Sequence, residues 1–199
     1  SKIVFSGVGK QTDEIEAALA AKIKCFNVES EAELHHIAEI AERLGTTAPI
    51  SLRVNPDVDP KTHPYISTGL KESKFGVPMN QALRLYAAAQ SLDGITIKGL
   101  DIHIGSQITQ LAPYLDALDK MFILIDQLSD QGIVLEHFDI GGGMGVRYEQ
   151  EPDFPIEALS DALHQKIANR KLEIILEPGR YIVANAGVLL TQVLYTKHN

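Results

Sequence analysis

Short β-type apolar runs alternate along the chain with stretches in which apolar residues recur every three or four positions. Ile3-Val4-Phe5 reads as a buried strand, followed by a turn at Ser6-Gly7-Val8-Gly9 and by Ile15, Ala18, Leu19 and Lys22 at helical spacing. Cys25-Phe26-Asn27-Val28 is strand again. Ser30 with Glu33 three residues on predicts a capping box. It opens a helix striped by Leu34, Ile37, Ala38, Ala41 and Leu44 and closed by Gly45. Ile50–Val54 is the third strand, ended by Asn55-Pro56, and a long loop through Pro60, Pro64, Gly69 and Gly76 separates it from a helix beginning at Asn80. Gly99–Ile104 is a strand ended by Gly105-Ser106. Leu115, Leu118, Phe122, Ile125 and Leu128 form the clearest helical stripe, stopped at Gly132. The strand Phe138-Asp139-Ile140, a helix near Ile156–Ile167 and the strand Glu173–Leu176 follow. A last β-type run, Val188–Tyr195, has no helix after it.

Strand then helix, about six times over, predicts a parallel α/β architecture, either a (β/α) barrel or an open doubly wound sheet. The polar clusters favour the barrel, with the open doubly wound sheet as the runner-up. Arg53-Val54-Asn55, His103-Ile104-Gly105-Ser106, Gly141-Gly142-Gly143 and Glu177-Pro178-Gly179-Arg180 each sit at or just past the C-terminal end of a strand. That rim is where barrel active sites form, with phosphate sites after the last strands.

Gly141-Gly142-Gly143-Met144-Gly145 dominates the chemistry of the rim. A glycine-rich backbone can turn several N–H groups toward one point, which makes a phosphate or carboxylate site; a plain tight turn is the alternative. The run is not a dinucleotide fingerprint, because valine stands where the third glycine belongs. Nor is Gly7-Val8-Gly9-Lys10 a nucleotide P-loop: Val4 replaces its first glycine and Gln11 its Ser/Thr. Glu177 follows an apolar strand, so its carboxylate needs a cation to stay ionised. Arg180 is one candidate; the protonated ring nitrogen of pyridoxal phosphate is another. Arg180 could instead pair with a phosphate or a substrate carboxylate. His103 is either a satisfied strand histidine or, beside Gly105-Ser106, a flat ring suited to a flat phosphorylated cofactor.

Composition narrows the classes. Hydrophobic content of 45% and charged content of 22% are those of an ordinary globular domain. A formal charge of −8 excludes the basic stripe of a nucleic-acid binder. No apolar run reaches the ~20 residues of a membrane helix. Cys25 is the lone cysteine, which excludes a disulfide framework and makes a cytoplasmic location the expectation. No His-Glu-x-x-His or Gly-x-Ser-x-Gly run occurs, and the seven histidines are scattered, so no metal is expected.

His103-Ile104-Gly105-Ser106-Gln107, Asp139-Ile140-Gly141-Gly142-Gly143 and Glu177-Pro178-Gly179-Arg180, in this order, resemble the fold-type III pyridoxal-phosphate decarboxylases. Within that group Arg53-Val54-Asn55-Pro56, Thr62–Gly69 and Lys74-Phe75-Gly76 resemble the diaminopimelate decarboxylases. The resemblance runs essentially end to end. It implies an alanine-racemase-like (β/α)8 TIM barrel with a C-terminal β domain, pyridoxal 5'-phosphate as cofactor, and decarboxylation of meso-diaminopimelate to lysine. It also implies active sites completed across a homodimer. Carried over by position, His103 would stack on the cofactor ring, and Ser106 with Gly141, Gly142 and Gly143 would hold the phosphate. Glu177, in Glu177-Pro178-Gly179-Arg180, would face the pyridinium nitrogen, and Arg180 would serve the phosphate or the substrate carboxylate.

Three elements of the resembled family have no counterpart here: the Tyr-Ala-Val-Lys-Ala-Asn-like strand whose lysine anchors the cofactor covalently, the catalytic cysteine, and a substrate-binding tyrosine. The expectation is an incomplete barrel of about six βα units over residues 1–183, with 184–199 as the start of the β domain. A chain of this extent is expected to be inactive alone. Related decarboxylases of ornithine, arginine or carboxynorspermidine, or a non-catalytic cofactor-binding paralogue, are the alternatives.

Overall fold

A computed structural model describes residues 1–59 and 74–198. The element order is β1 (Val4–Phe5), α1 (Thr12–Ala20), β2 (Cys25–Val28), α2 (Glu31–Arg43), β3 (Ala48–Asn55), β4 (Val77–Pro78), α3 (Met79–Gln90), β5 (Ile95–Asp101), α4 (Ala112–Asp130), β6 (His137–Asp139), α5 (Ile156–Ile167), β7 (Glu173–Ile175) and α6 (Gly179–Val183). All strand pairs are parallel, in the order β1-β2-β3-β5-β6-β7, with β4 beside the end of β3. The order is sequential, and its two ends meet in space. Lys24 Nζ lies 2.7 Å from Glu173 Oε2, and Ser6 Oγ lies 2.5 Å from Glu177 Oε1. A flat sheet would hold those strands far apart, so the sheet is curled into an incomplete barrel.

Alternation within the strands sorts the side chains onto two faces. Phe26, Leu52, Leu100 and Phe138 are fully buried in the layer packed by the helices. Phe138, for instance, stands edge-on to Phe122 of α4, with centroids 5.8 Å apart. The opposite, concave face is polar and equally buried: Cys25 and Asn27, Ser51 and Arg53, Asp101, His137 and Asp139 occupy the other parity.

The helices form where their stripes predict, with two differences at their ends. Ser30 caps α2 by accepting from the Glu33 N–H at 3.2 Å. The Glu33 carboxylate does not close the box, because it accepts instead from the Glu29 N–H at 2.6 Å and from Lys10 at 2.8 Å. Gly45 ends α2 as expected, with Thr46 N–H bonded to the Ala41 carbonyl and Gly45 N–H to that of Glu42. The Glu177–Arg180 turn also starts α6, which places Arg180 in a helical first turn.

Three strand expectations change. β5 begins at Ile95 and ends at Asp101, so Ile102 to Ile104 lie beyond the strand, although Ile102 N–H still bonds the Asp139 carbonyl. β7 stops at Ile175. The run Val188–Tyr195 forms no strand; Val188, Leu189, Leu190 and Tyr195 are 92–93% exposed. β-type residues make a strand only beside another strand that takes up their hydrogen bonds, and no described segment does so. The Thr62–Gly69 motif lies outside the described residues.

Candidate active site

The carboxyl ends of β1, β2, β5, β6 and β7 converge on Glu177. Its carboxylate accepts from Ser6 Oγ at 2.5 Å. Ser6 in turn accepts from Asn27 Nδ2 at 2.8 Å, and the same amide nitrogen reaches Asp139 Oδ2 at 3.2 Å. Asp139 Oδ1 accepts the Gly141 N–H at 2.9 Å, so the network runs into the glycine loop. Among the described residues Glu177 makes no ion pair with Arg180, and the intramolecular salt bridge is therefore not its role. Burial, with the Glu177 charge adding to it, lifts the Asp139 carboxyl to about 7. Asp101 is pushed well up for the same leading reason, with the Asp139 charge next. Its Oδ1 has no hydrogen-bond partner among the described residues.

The glycine loop is held by its neighbours as tightly as it is free toward the mouth. Glu177 N–H donates to the Gly141 carbonyl at 2.8 Å, and Tyr114 OH to that of Gly142 at 2.7 Å. A Cβ on Gly142 would overlap the Glu177 carbonyl oxygen, and one on Gly143 that of Gly105. The glycines are thus required first by backbone packing between strand ends. A side chain at 142 would therefore disturb the fold as well as any ligand site.

Of the three N–H groups expected to hold a phosphate, two are already engaged. Gly141 donates to Asp139, and Gly142 donates to His103 Nδ1 at 3.3 Å. The N–H groups of Gly143 and Met144 meet no acceptor among the described residues. Beside them, Ser106 Oγ accepts from Arg180 Nη2 at 3.1 Å, and Arg180 Nη1 reaches the Tyr148 hydroxyl at 3.2 Å. A guanidinium met only by hydroxyls among the described residues, next to two N–H groups with no acceptor there, fits a phosphate.

His103 is half-buried, and burial with the nearby Arg53 charge lowers its pKa, so the ring is neutral. Because Nδ1 accepts from Gly142, the ring proton resides on Nε2. Arg53 pairs with Glu29 at 2.5 Å, and Lys10 bonds the Gly7 and Asn27 carbonyls at 2.7 Å as well as Glu33. Pro178 precedes α6 at the same rim, and Gly179 opens that helix.

The sequence profile described as "Pyridoxal-dependent decarboxylase, pyridoxal binding domain" matches residues 1–184. The chain belongs to this family. It is 57% identical over its whole length to a Haemophilus influenzae protein named diaminopimelate decarboxylase, covering 48% of that protein. It is 54% identical, again over its whole length and 48% of the relative's, to a Vibrio cholerae protein of the same name. The crystal structure of diaminopimelate decarboxylase from Helicobacter pylori complexed with L-lysine superposes with a TM-score of 0.92 at 47% identity, over 98% of this chain and 50% of that one. The chain spans about half the length of the curated relatives it matches.

The decarboxylase family carries pyridoxal phosphate, and the Gly143–Met144–Ser106–Arg180 cluster is where this chain's donors fit its phosphate. Sequence reasoning singled out His103, Ser106, Gly141–Gly143 and Glu177–Arg180, and the structure brings all of them to one rim. It missed Ser6, Asn27, Asp139, Tyr114 and Met144 as parts of the site. The alternation signal was there: Asn27, Arg53, Asp101 and Asp139 are polar residues at every second position of otherwise apolar strands.

Proposed function

We propose that the protein containing this chain is a pyridoxal-phosphate-dependent decarboxylase that converts meso-2,6-diaminopimelate to L-lysine. The observation that carries the reading is the convergence of Glu177 and the Gly143–Arg180 cluster at one rim. It is supported by relatives named diaminopimelate decarboxylase at 52–57% identity along the chain.

In this reading the neutral His103 imidazole would stack on the cofactor ring, and Gly143 and Met144 N–H with Ser106 and Arg180 would hold the phosphate. Gly141, Gly142, Pro178 and Gly179 shape the backbone that delivers those donors. Arg180 also stands where a substrate carboxylate could reach it. Pyridoxal phosphate, when bound, supplies an electron sink for the bond left by the departing carboxyl group. Glu177 holds a proton on the ring nitrogen through its carboxylate, which keeps that sink strong. Residues 1–183 serve as part of the barrel and 184–199 lead into a β domain; the family match ending at 184 supports that division. The lone, buried Cys25 supports a cytoplasmic enzyme, and the resemblance supports a homodimer. Among the described residues no helix is long and apolar enough to cross a membrane.

The test is carbon dioxide release and lysine formation by the intact protein given meso-diaminopimelate, with ornithine, arginine and carboxynorspermidine as comparators. Glu177→Gln is expected to keep cofactor bound yet lower kcat. Turnover of a comparator in place of diaminopimelate would overturn the substrate assignment, and an unchanged kcat in Glu177→Gln would overturn the role of the carboxylate.

A further inference from the structure

Glu177 is the last link of a directional chain of hydrogen bonds that begins inside the barrel. Asn27 is fully buried on β2, and its Nδ2 hydrogens point to two acceptors, Ser6 Oγ at 2.8 Å and Asp139 Oδ2 at 3.2 Å. In the flipped amide the –NH2 group would face only the Cys25 sulfur, a weak acceptor, in place of two oxygens, so Ser6 and Asp139 together fix the orientation. With the amide so oriented, Asn27 Oδ1 faces the Cys25 thiol at 3.7 Å. Ser6 has one hydrogen. Because an Asn27 N–H already points at the hydroxyl oxygen, that hydrogen is directed away from Asn27 and toward Glu177 Oε1, 2.5 Å away. Asp139, through Gly141 N–H, ties the same network to the start of the glycine loop.

We propose that Asn27 and Ser6 are positioning residues for the Glu177 carboxylate, the buried Asn27 amide forcing the Ser6 hydroxyl to donate to it. This rests on Glu177 serving the cofactor ring as proposed above. Asn27 and Ser6 come from β2 and the end of β1, whereas Glu177 follows β7 at the other end of the strand order. The network therefore also fixes how far the barrel is curled at its mouth. The Glu177 carboxylate also meets the Asp139 carboxyl, and the Ser6 donor fixes its direction, so it keeps a single rotamer, which a site acting on one ring atom requires.

The test combines infrared spectroscopy with kinetics on the intact protein. With ¹³C-glutamate labelling, the Glu177 carboxylate band is assigned by its loss in Glu177→Gln. It is expected to move in Ser6→Ala and Asn27→Ala and to stay in place in Ser6→Thr, which retains the hydroxyl. Turnover is expected to fall about tenfold in Ser6→Ala with KM within twofold, the scale of one hydrogen bond to a charged group. In a Glu177→Gln background, Ser6→Ala should bring no further loss. Ser6→Ala alone decides the question if Asn27→Ala does not fold, because Ser6 is exposed and its truncation leaves no cavity. A band unmoved by Ser6→Ala, or an equal kcat loss with and without Glu177, would overturn the proposal. A moved band with kcat insensitive to Glu177→Gln would uphold the positioning and sink the role assigned to Glu177.

Discussion

Two buried groups on β6, His137 and Asp139, should give this fold opposing pH dependences that nearly cancel. His137 is 2% exposed, its Nε2 lies 2.7 Å from Ser51 Oγ and 3.4 Å from Cys25 Sγ, and its ring fills the space left by the missing side chain of Gly99. Burial lowers its pKa from 6.5 to about 4. A depressed folded-state value means the unfolded chain binds more protons between pH 4 and 6.5. Stability from the neutral ring is thus complete above about 6.5 and lost as pH falls toward 4. At about 1.4 kcal/mol per unit, that is roughly 3 kcal/mol. Asp139 runs the other way. Its carboxyl is raised from 3.8 to about 7, so the folded chain holds the extra proton and stability drains as pH rises through that window, by about 4 kcal/mol.

Asp101, also pushed up by burial, adds its own fall with rising pH, so the two contributions are read from each variant's difference from wild type. His137→Gln, which keeps a polar group for Ser51, should expose the slope of Asp139, with a urea-derived unfolding free energy that falls as pH rises. Asp139→Asn should remove the Asp139 fall, so that its stability relative to wild type improves as pH rises, on top of a constant loss because its amide would face that of Asn27. Relative to wild type, the deficit of His137→Gln should be about 3 kcal/mol greater at pH 7 than at pH 4. Profiles parallel to wild type within 1 kcal/mol would refute the assignment of neutral, buried groups at both positions.

Gly142→Ala should lower the unfolding free energy by about 3 kcal/mol, read as a shifted urea midpoint, because its Cβ meets the Glu177 carbonyl rather than an open phosphate site; wild-type stability with lost cofactor binding would show the loop to be purely a ligand site. Lys10→Met should destabilise by roughly 3–5 kcal/mol, since Lys10 is almost fully buried and its loss strands the Glu33 carboxylate. Adding Glu33→Gln should recover part of that, as read by thermal melting of the double variant.

The repeated unit was legible because each strand and helix carries its own period. α5 falls on Ile156–Ile167 as its stripe predicts, and β2 on Cys25–Val28. Strand ends were less legible, because a strand stops where its partner stops and not where its residues change. β5 extends back to Ile95 since Ala48, Pro49 and Ile50 of β3 pair with it there, while Val188–Tyr195 has β-type residues and no partner. At the site, the rim motifs were visible as glycines and charges that no turn needs. Their division of labour was not. That Gly142 N–H is spent on His103, leaving Gly143 and Met144 to face outward, depends on how two strand ends abut, and no local pattern encodes it.

The concave face shows why the less visible residues matter. Strand parity places Ser51, Gly99 and His137 at one level and Arg53, Asp101 and Asp139 at the next, level by level toward the mouth. An apolar filling would have packed as well, and the cost of burying these polar groups is met only by mutual hydrogen bonds. At the lower level His137, Ser51 and Cys25 satisfy one another. At the upper level the bonds are directed, from Asn27 through Ser6 to Glu177 and from Gly141 to Asp139. Asp101 Oδ1 is the one buried side-chain oxygen among the described residues that neither level satisfies. It lies on the strand that delivers His103, two positions before it. The unmet polar demand of the interior thus sits at the last residue of β5, where burial and the Asp139 charge push the carboxyl toward its neutral form.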